Sequence, residues 1–345
     1  MKKQLFTVIA AGLTALSLTA CGGSTTAATT AAQTTTAAQT TTAAQTTAAT
    51  QTTAATQAET TTAAGAAAEA EAETEAAETE ETTKTAAAET AEPIHLTVGV
   101  VGSIYEEIWA PAIEILAEEG VELELVQFSD YVTPNNALAN GEIDLNAFQH
   151  RIYLASEIEQ YGYELTNIAN TFISPMNLYS NNVKSVEELK DGDVIAIPND
   201  PTNGGRAIKV LEAAGLIKLK DDAGFNPTVD DVETYNVGIK IEELAANTIP
   251  SVLPDVTAAI INGNYALDFG LRASDAVFED LMDEEEYWNL IACRTADLED
   301  PALVEAYDKV AKAYQSEGVA KVYEEAFNGF YVGVGWDQDL LADYK

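Results

Sequence analysis

Val194-Ile195-Ala196-Ile197-Pro198-Asn199-Asp200-Pro201-Thr202-Asn203-Gly204-Gly205-Arg206 opens as an apolar strand, turns through Pro, Asn and Asp, and enters a helix. The helix is predicted from about Asn203 to Ala214, closed by Gly215. A helix start presents unpaired N–H groups and a positive dipole end, which suit an anion such as a carboxylate. Gly204 and Gly205 let the backbone come close, and Arg206 in the first turn can grip a carboxylate bidentately. The lysine and Ser/Thr of a P-loop are missing, so this is not that motif. Arg206 as a plain surface residue is the competing reading.

The strand-to-helix alternation continues on both sides. Residues 96–101 read as a strand, and Ile108, Ala112, Ile113, Ile115 and Leu116 as one stripe of a helix. Residues 121–125 alternate as a strand should. Thr133-Pro134 starts a helix that stops near Asn140-Gly141, and a short strand over 143–148 leads into a helix from Ile152 to Gly162. Ser185-Val186-Glu187-Glu188 has the capping-box pattern. Later strands are expected at 239–244, 257–261 and 290–293, with helices from Pro301 and over 319–327. This order predicts an α/β fold with mainly parallel sheets, whose ligands bind beyond the strand carboxyl ends.

The N-terminal third reads differently. Met1-Lys2-Lys3, an apolar run over 5–18 and then Leu18-Thr19-Ala20-Cys21 have the layout of a signal peptide, residues 1–20, with a small-residue cut site. The residue after the cut is Cys21. Leu-small-small-Cys resembles the lipobox of bacterial lipoproteins, in which that cysteine is diacylated, and two acyl chains suffice for stable anchoring. The mature protein is therefore expected on the extracytoplasmic face of the cell membrane, attached through its lipid. From 21 to 92 large apolar side chains are absent, and Ala31-Ala32-Gln33-Thr34-Thr35-Thr36 recurs over 37–42 before the segment turns to Ala and Glu. Such a segment cannot offset the entropy of ordering itself, so it reads as a disordered tether. With Cys21 acylated, Cys293 has no partner, and within Asn289-Leu290-Ile291-Ala292-Cys293-Arg294 it reads as a small core residue. A net charge of −39 excludes nucleic acid as a partner, because phosphate binding needs a basic footprint.

Two further stretches follow strands: Gln127-Phe128-Ser129-Asp130-Tyr131 and Asn146-Ala147-Phe148-Gln149-His150-Arg151-Ile152-Tyr153. Tyr131, Phe148, His150 and Tyr153 can thus face one cleft, where aromatic walls suit a flexible apolar side chain and favour a thioether. Phe148 as core and His150 as a satisfied polar residue is the alternative.

Phe128-x-Asp130-Tyr131-Val132-x-Pro134-Asn135, Ala147-Phe148-Gln149-His150, Asn170-Thr171-Phe172 and the segment Ile197–Arg206 resemble the methionine-binding lipoproteins of the NlpA lipoprotein family. So do Gly215-Leu216-Ile217-Lys218-Leu219-Lys220 and Phe327-Asn328-Gly329, and the likeness runs in order from Ile94 to about Trp336. The resemblance implies a two-lobed type II periplasmic-binding-protein fold that delivers methionine, or a close relative, to an ABC importer permease. It implies that Tyr131, Phe148, His150 and Tyr153 clamp the ligand side chain. Asn203 and Arg206 would hold its carboxylate, and Asn262 and Asn289 would bridge its amino group. Lobe 1 would comprise 93–176 and 262–345 and lobe 2 177–261, with crossings near 176–179 and 261–265. Ser174, Trp288 and the 330–336 end depart from the usual pattern, which leaves another amino acid or a methionine-containing dipeptide open as ligand.

An enzyme is the rival class. It would need an acid–base or nucleophile constellation, yet His95 and His150 are the only histidines and Cys293 sits in a strand. No metal or other cofactor is expected. The acidic run Asp283-Glu284-Glu285-Glu286 lacks calcium-loop spacing and reads as a solvated face. A surface adhesin would explain lipobox and tether but not the Asn199–Arg206 turn. The anchor is directly testable. Cys21→Ser should leave a folded protein that is released in soluble form, and a variant still pelleting with salt-washed membranes would remove the lipobox reading.

Overall fold

The computed structural model describes residues Glu92–Lys345. The expected signal peptide, Cys21 and most of the tether lie outside the described residues.

Two five-stranded sheets carry the described chain. In the first, Ile94–Val101 pairs in parallel with Val121–Phe128 on one side, Ile94 opposite Val121, and with Leu145–Asn146 on the other. Leu290–Arg294 then runs antiparallel between Leu145–Asn146 and Leu165–Asn170. In the second, Val194–Pro198 lies in parallel between Lys240–Leu244 and Ala258–Asn262. Met176–Tyr179 and Ala276–Phe278 complete it, both pairings antiparallel. The sheets are mixed, as expected, but parallel pairing is confined to one half of each. The antiparallel half has a simple cause. It holds the strands on either side of the passages between sheets, where a reversed strand needs no crossover helix.

Those passages are more numerous than the two expected. The chain leaves the first sheet after Leu165–Asn170 and enters the second at Met176; it leaves again after Asn262. It then returns to place Ala276–Phe278 on the second sheet before passing back to Leu290. Residues 276–278, assigned from sequence to lobe 1, thus pair with Met176–Tyr179 of the second sheet. Three residues without helical or alternating signal gave no warning of this.

On the first sheet, helix Tyr105–Glu118 buries Tyr105, Ile108, Trp109, Ala112 and Leu116; of the expected stripe Ile113 and Ile115 are only partly buried, and Tyr105 and Trp109 take their place at the 3.6-residue period. Its Trp109 meets Tyr314 of helix Pro301–Tyr314 edge-on, with ring centroids 4.6 Å apart. Cys293 is fully buried in this core, and burial pushes its thiol up to about 12, so it carries no thiolate at neutral pH. Ser185–Glu188 is not a capping box. Only a single 3-10 turn forms at Val186–Glu188, and the Glu188 carboxylate accepts the backbone N–H of Lys184 instead.

The decisive helix starts earlier than expected, at Pro201, and runs to Ala213. Pro201 takes the first position, and Asp200 caps it by accepting the Asn203 N–H at 2.9 Å. The two glycines serve packing. A Cβ on Gly204 would stand 2.9 Å from the Pro198 carbonyl oxygen, and one on Gly205 would stand 2.9 Å from the Asn226 Cα. Both neighbours are backbone and cannot swing aside. Gly205→Ala should therefore lower stability by about 1–3 kcal/mol, the usual cost of overpacking. Unchanged thermal unfolding of that variant would show that the helix and the Asn226 segment can separate freely.

Candidate ligand-binding site

All eight residues singled out as ligand contacts line one cavity. Tyr131, Phe148, His150, Tyr153 and Asn289 come from the first-sheet side, Asn203 and Arg206 from the helix after Val194–Pro198, and Asn262 from a crossing. Strand carboxyl ends deliver seven of them, as the α/β rule requires, and Asn289 precedes the antiparallel strand Leu290–Arg294.

One end is aromatic. Tyr131 stacks on Phe148 at 6.0 Å, and Tyr153 meets both edge-on at 6.2 and 6.1 Å. The Tyr153 hydroxyl donates to the Tyr131 carbonyl at 3.0 Å, and the Tyr131 hydroxyl donates to Asn264 Oδ1 at 2.5 Å. These bonds use up the phenols and leave ring faces toward the cavity. Burial raises the pKa of both phenols far above its ordinary value, so they stay neutral.

Beneath this wall lies an amide cluster that sequence reading missed. Asn135, Asn146 and Gln149 are buried at 0, 0 and 3 % exposure and bond mutually at 2.7–3.0 Å. With their amides satisfied by one another, they fix the backbone that carries Phe148 and His150.

The polar end is ordered by a chain of amides. Asp200 accepts both hydrogens' worth of contact from Asn203 Nδ2, at 3.1 and 3.0 Å. A carboxylate only accepts, so Asn203 must turn its Oδ1 away from Asp200. That oxygen accepts from Asn262 Nδ2 at 2.8 Å and meets His150 Nε2 at 3.2 Å. Asn262 Oδ1 is then left buried without a protein partner, an acceptor in the cavity wall. His150 follows the same logic. Its Nδ1 accepts the Tyr153 N–H at 3.1 Å and caps helix Arg151–Tyr161, so its proton sits on Nε2. Burial, and secondarily the Arg206 charge, lower its pKa to about 3.

Arg206 is 5 % exposed. Its Nη2 donates to the Ser174 carbonyl at 2.8 Å and to Asp280 Oδ2 at 2.5 Å, and the Tyr287 ring lies 4.5 Å from its central carbon. Its Nε has no protein partner. Among the described residues, it is the only acidic or basic side chain apart from the neutral His150 in the cavity wall. Two sequence expectations change here. The helix N-terminus is occupied by its own Asp200, so it is not a free anion site. The acidic run is not simply solvated, since Glu284 pairs with Lys209 at 2.9 Å and Glu285 with Arg151 at 3.5 Å. Asn289 makes only a 3.5 Å side-chain contact, to the Tyr287 carbonyl. Asp280, Tyr287 and Asn264 were missed as parts of the site: Asp280 and Tyr287 lie in the link 279–289 and Asn264 in a helix of six residues, both too irregular or short for spacing to carry a signal, whereas Ser174, noted as a departure from the family pattern, does line the cavity.

The family model described as NlpA lipoprotein matches residues 96–334. The chain belongs to this family. The D-methionine-binding lipoprotein MetQ of Yersinia pestis is 44 % identical over 249 residues, 71 % of this chain and 89 % of that protein. MetQ of Escherichia coli K12 is 43 % identical over 250 residues, 71 and 90 % of the two chains. Among solved structures, a nutrient-binding protein of Burkholderia cenocepacia bound to methionine superposes with a TM-score of 0.65. It is 39 % identical, and the match covers 69 % of this chain and 99 % of that one. The substrate-binding protein of a methionine transporter from Streptococcus pneumoniae gives 0.66 at 34 % identity, covering 70 and 95 %. The NlpA fold is thus a substrate-binding fold, with the mixed sheets described above.

The neutral imidazole makes a pH test. The unfolded chain takes up a proton near the ordinary value of 6.5, while the folded chain refuses it until about 3. Stability contributed by His150 is present above 6.5 and is lost as pH falls toward 3, by about 1.4 kcal/mol per pH unit. His150→Asn keeps a capping acceptor and should flatten the fall in melting temperature between pH 6.5 and 4. Equal slopes for both proteins would refute a buried neutral His150.

Proposed function

We propose that this protein is a lipid-anchored, extracytoplasmic solute-binding protein that captures methionine, or a close relative, and delivers it to an ABC importer permease. The observation that carries this is the polarity of the cavity. One end offers an unpartnered guanidinium N–H and an unpartnered amide oxygen, the other three aromatic faces. An α-amino acid has a carboxylate for the first and an ammonium for the second, and a thioether chain packs favourably on aromatic rings. The methionine named in the relatives and structural neighbours supports the same ligand, and their designation as lipoproteins supports the anchor at Cys21.

In this reading Tyr131, Phe148 and Tyr153 enclose the side chain and Arg206 grips the carboxylate. Asn262, with Asn289 near it, takes the amino group. His150 and Asn203 act chiefly by orienting neighbours, because their polar atoms are spoken for by protein bonds. The working lobes are 93–176 with 262–345 and 177–261, with the strand at 276–278 lent to the second. Binding without turnover fits the wall chemistry: a neutral histidine with both nitrogens engaged is neither a free base nor a nucleophile.

Calorimetric titration with methionine, norleucine, leucine and alanine tests the assignment. Methionine should bind best, with norleucine weaker by the sulfur–aromatic term of about 0.3–1.5 kcal/mol. Phe148→Ala should cost methionine roughly 30-fold in Kd, about 2 kcal/mol, and alanine little. Absence of heat with every free amino acid, or an equal loss for methionine and alanine, would overturn the proposal.

A further inference from the structure

Asp280 lies outside the cavity wall, on the far side of Arg206, and its side chain is 11 % exposed. Its Oδ2 accepts from Arg206 Nη2 at 2.5 Å and from the Met176 N–H at 3.1 Å, and its own N–H donates to Asn177 Oδ1 at 2.9 Å. Two anchors, the Met176 N–H on the carboxylate and Asn177 Oδ1 on the backbone, hold Asp280 against the guanidinium. The residue sits in the link between Ala276–Phe278 and Leu290–Arg294, the additional passage from the second sheet to the first.

The charges around the cavity can be followed one by one. Arg206 is positive, His150 is an uncharged imidazole, and no Asp, Glu or Lys lines the wall among the described residues. With Asp280 directly behind Arg206 that cation is paired, and the one further charge bonded to the wall, the Asp200 carboxylate on Asn203 Nδ2, is also negative. The acceptor left for an ammonium, Asn262 Oδ1, is an uncharged amide oxygen. A buried site whose only cation is already paired penalises an anionic ligand, since the ion loses its water and gains no unpaired opposite charge. A zwitterion brings both signs and no net charge.

We propose that Asp280 is a specificity-determining residue: by compensating Arg206 from behind, it makes the cavity select zwitterionic amino acids over the corresponding carboxylate anions. Without it, the guanidinium becomes an uncompensated cation, and the best match becomes an anion lacking the amino group. Asp280 touches no ligand in this scheme; it acts through Arg206. The inference rests on the cavity being an amino-acid site.

Its test uses the full-length protein and three probes in calorimetric titration: methionine, its desamino anion 4-(methylthio)butanoate, and its decarboxylated cation 3-(methylthio)propylamine. Wild-type protein should bind methionine at least about tenfold more tightly than either. In Asp280→Asn, which keeps an acceptor for Arg206 and for the Met176 N–H, the ratio of methionine to butanoate affinity should fall by about tenfold or more. That estimate takes a unit charge several ångströms away at an effective dielectric near 20. The propylamine should weaken further. Asp280→Ser removes the same charge with a smaller side chain and should give the same reversal if the asparagine variant does not fold. A purely structural Asp280 would weaken all three probes by one common factor, and that result overturns the proposal. So does a wild-type protein that binds methionine and butanoate equally, with no variant needed. A wild-type protein that binds none of the three would instead sink the amino-acid reading of the cavity, which separates the two failures.

Discussion

A guanidinium held at 5 % exposure is the constraint around which this site is organised. Burying a charge is tolerated only where other groups replace its water. Arg206 obtains those groups from three residues in two parts of the chain: the Ser174 carbonyl, the Asp280 carboxylate and the Tyr287 ring face. Ser174 lies in the first passage between the sheets, and Asp280 and Tyr287 lie in the last. Solvating one side chain therefore ties together segments more than a hundred residues apart in sequence. The glycines that precede Arg206 belong to the same construction, because they let its helix sit tight against Pro198 and Asn226.

A second constraint is directional. Amides can be turned either way, and a site made of amides needs something to decide which end faces the ligand. Here the decision comes from Asp200, outside the cavity wall. A carboxylate that accepts from Asn203 Nδ2 sends Asn203 Oδ1 toward Asn262, which sends Asn262 Oδ1 into the wall. His150 is fixed by the same oxygen on one side and by a helix N–H on the other. The capping residue of a helix thus sets the hydrogen-bonding sense of a site several residues away, with no charged group for the ammonium.

Much of this was legible in the sequence, and the division has a physical reason. Periodicity located the long helices and the strands they alternate with, because burial of one face imposes a repeat. The motif around Asn203 and Arg206, with Tyr131, Phe148, His150 and Tyr153, stood out because those residues follow strand ends, where α/β folds place ligands, but it was the family resemblance that gave them ligand roles and added Asn262 and Asn289. Ala276–Phe278 went unread: three residues are too few for a period, and its place on the second sheet is decided by the partner strand Met176–Tyr179. Ser185–Glu188 shows the opposite error, a local pattern whose side chains found other partners. The role first given to the free helix end failed for a related reason. Asp200 was part of the quoted motif, but its cap competes with any external anion for the same N–H, and only coordinates show which wins.

These contacts also determine how the site can be dissected. Truncating Arg206 alone does not isolate a ligand contact. It leaves the Asp280 carboxylate largely buried without its cation, and breaking a buried pair from one side commonly costs about 3–5 kcal/mol of stability. A loss of affinity in such a variant therefore mixes a missing ligand partner with a rearranged wall, since Asp280 also holds the Met176 N–H at the start of the second sheet. Substitutions on the aromatic side avoid this. Phe148 makes no polar bond, and the amide cluster of Asn135, Asn146 and Gln149 holds its backbone in place regardless of its ring. The two ends of the cavity thus differ in kind: the aromatic end can be reshaped one side chain at a time, whereas the polar end responds as a unit. A change in ligand side-chain preference is for that reason within reach of single substitutions, whereas at the polar end truncation of Arg206 disturbs wall and ligand contact together, and only a substitution that removes the Asp280 charge while keeping its hydrogen bonds isolates the head group.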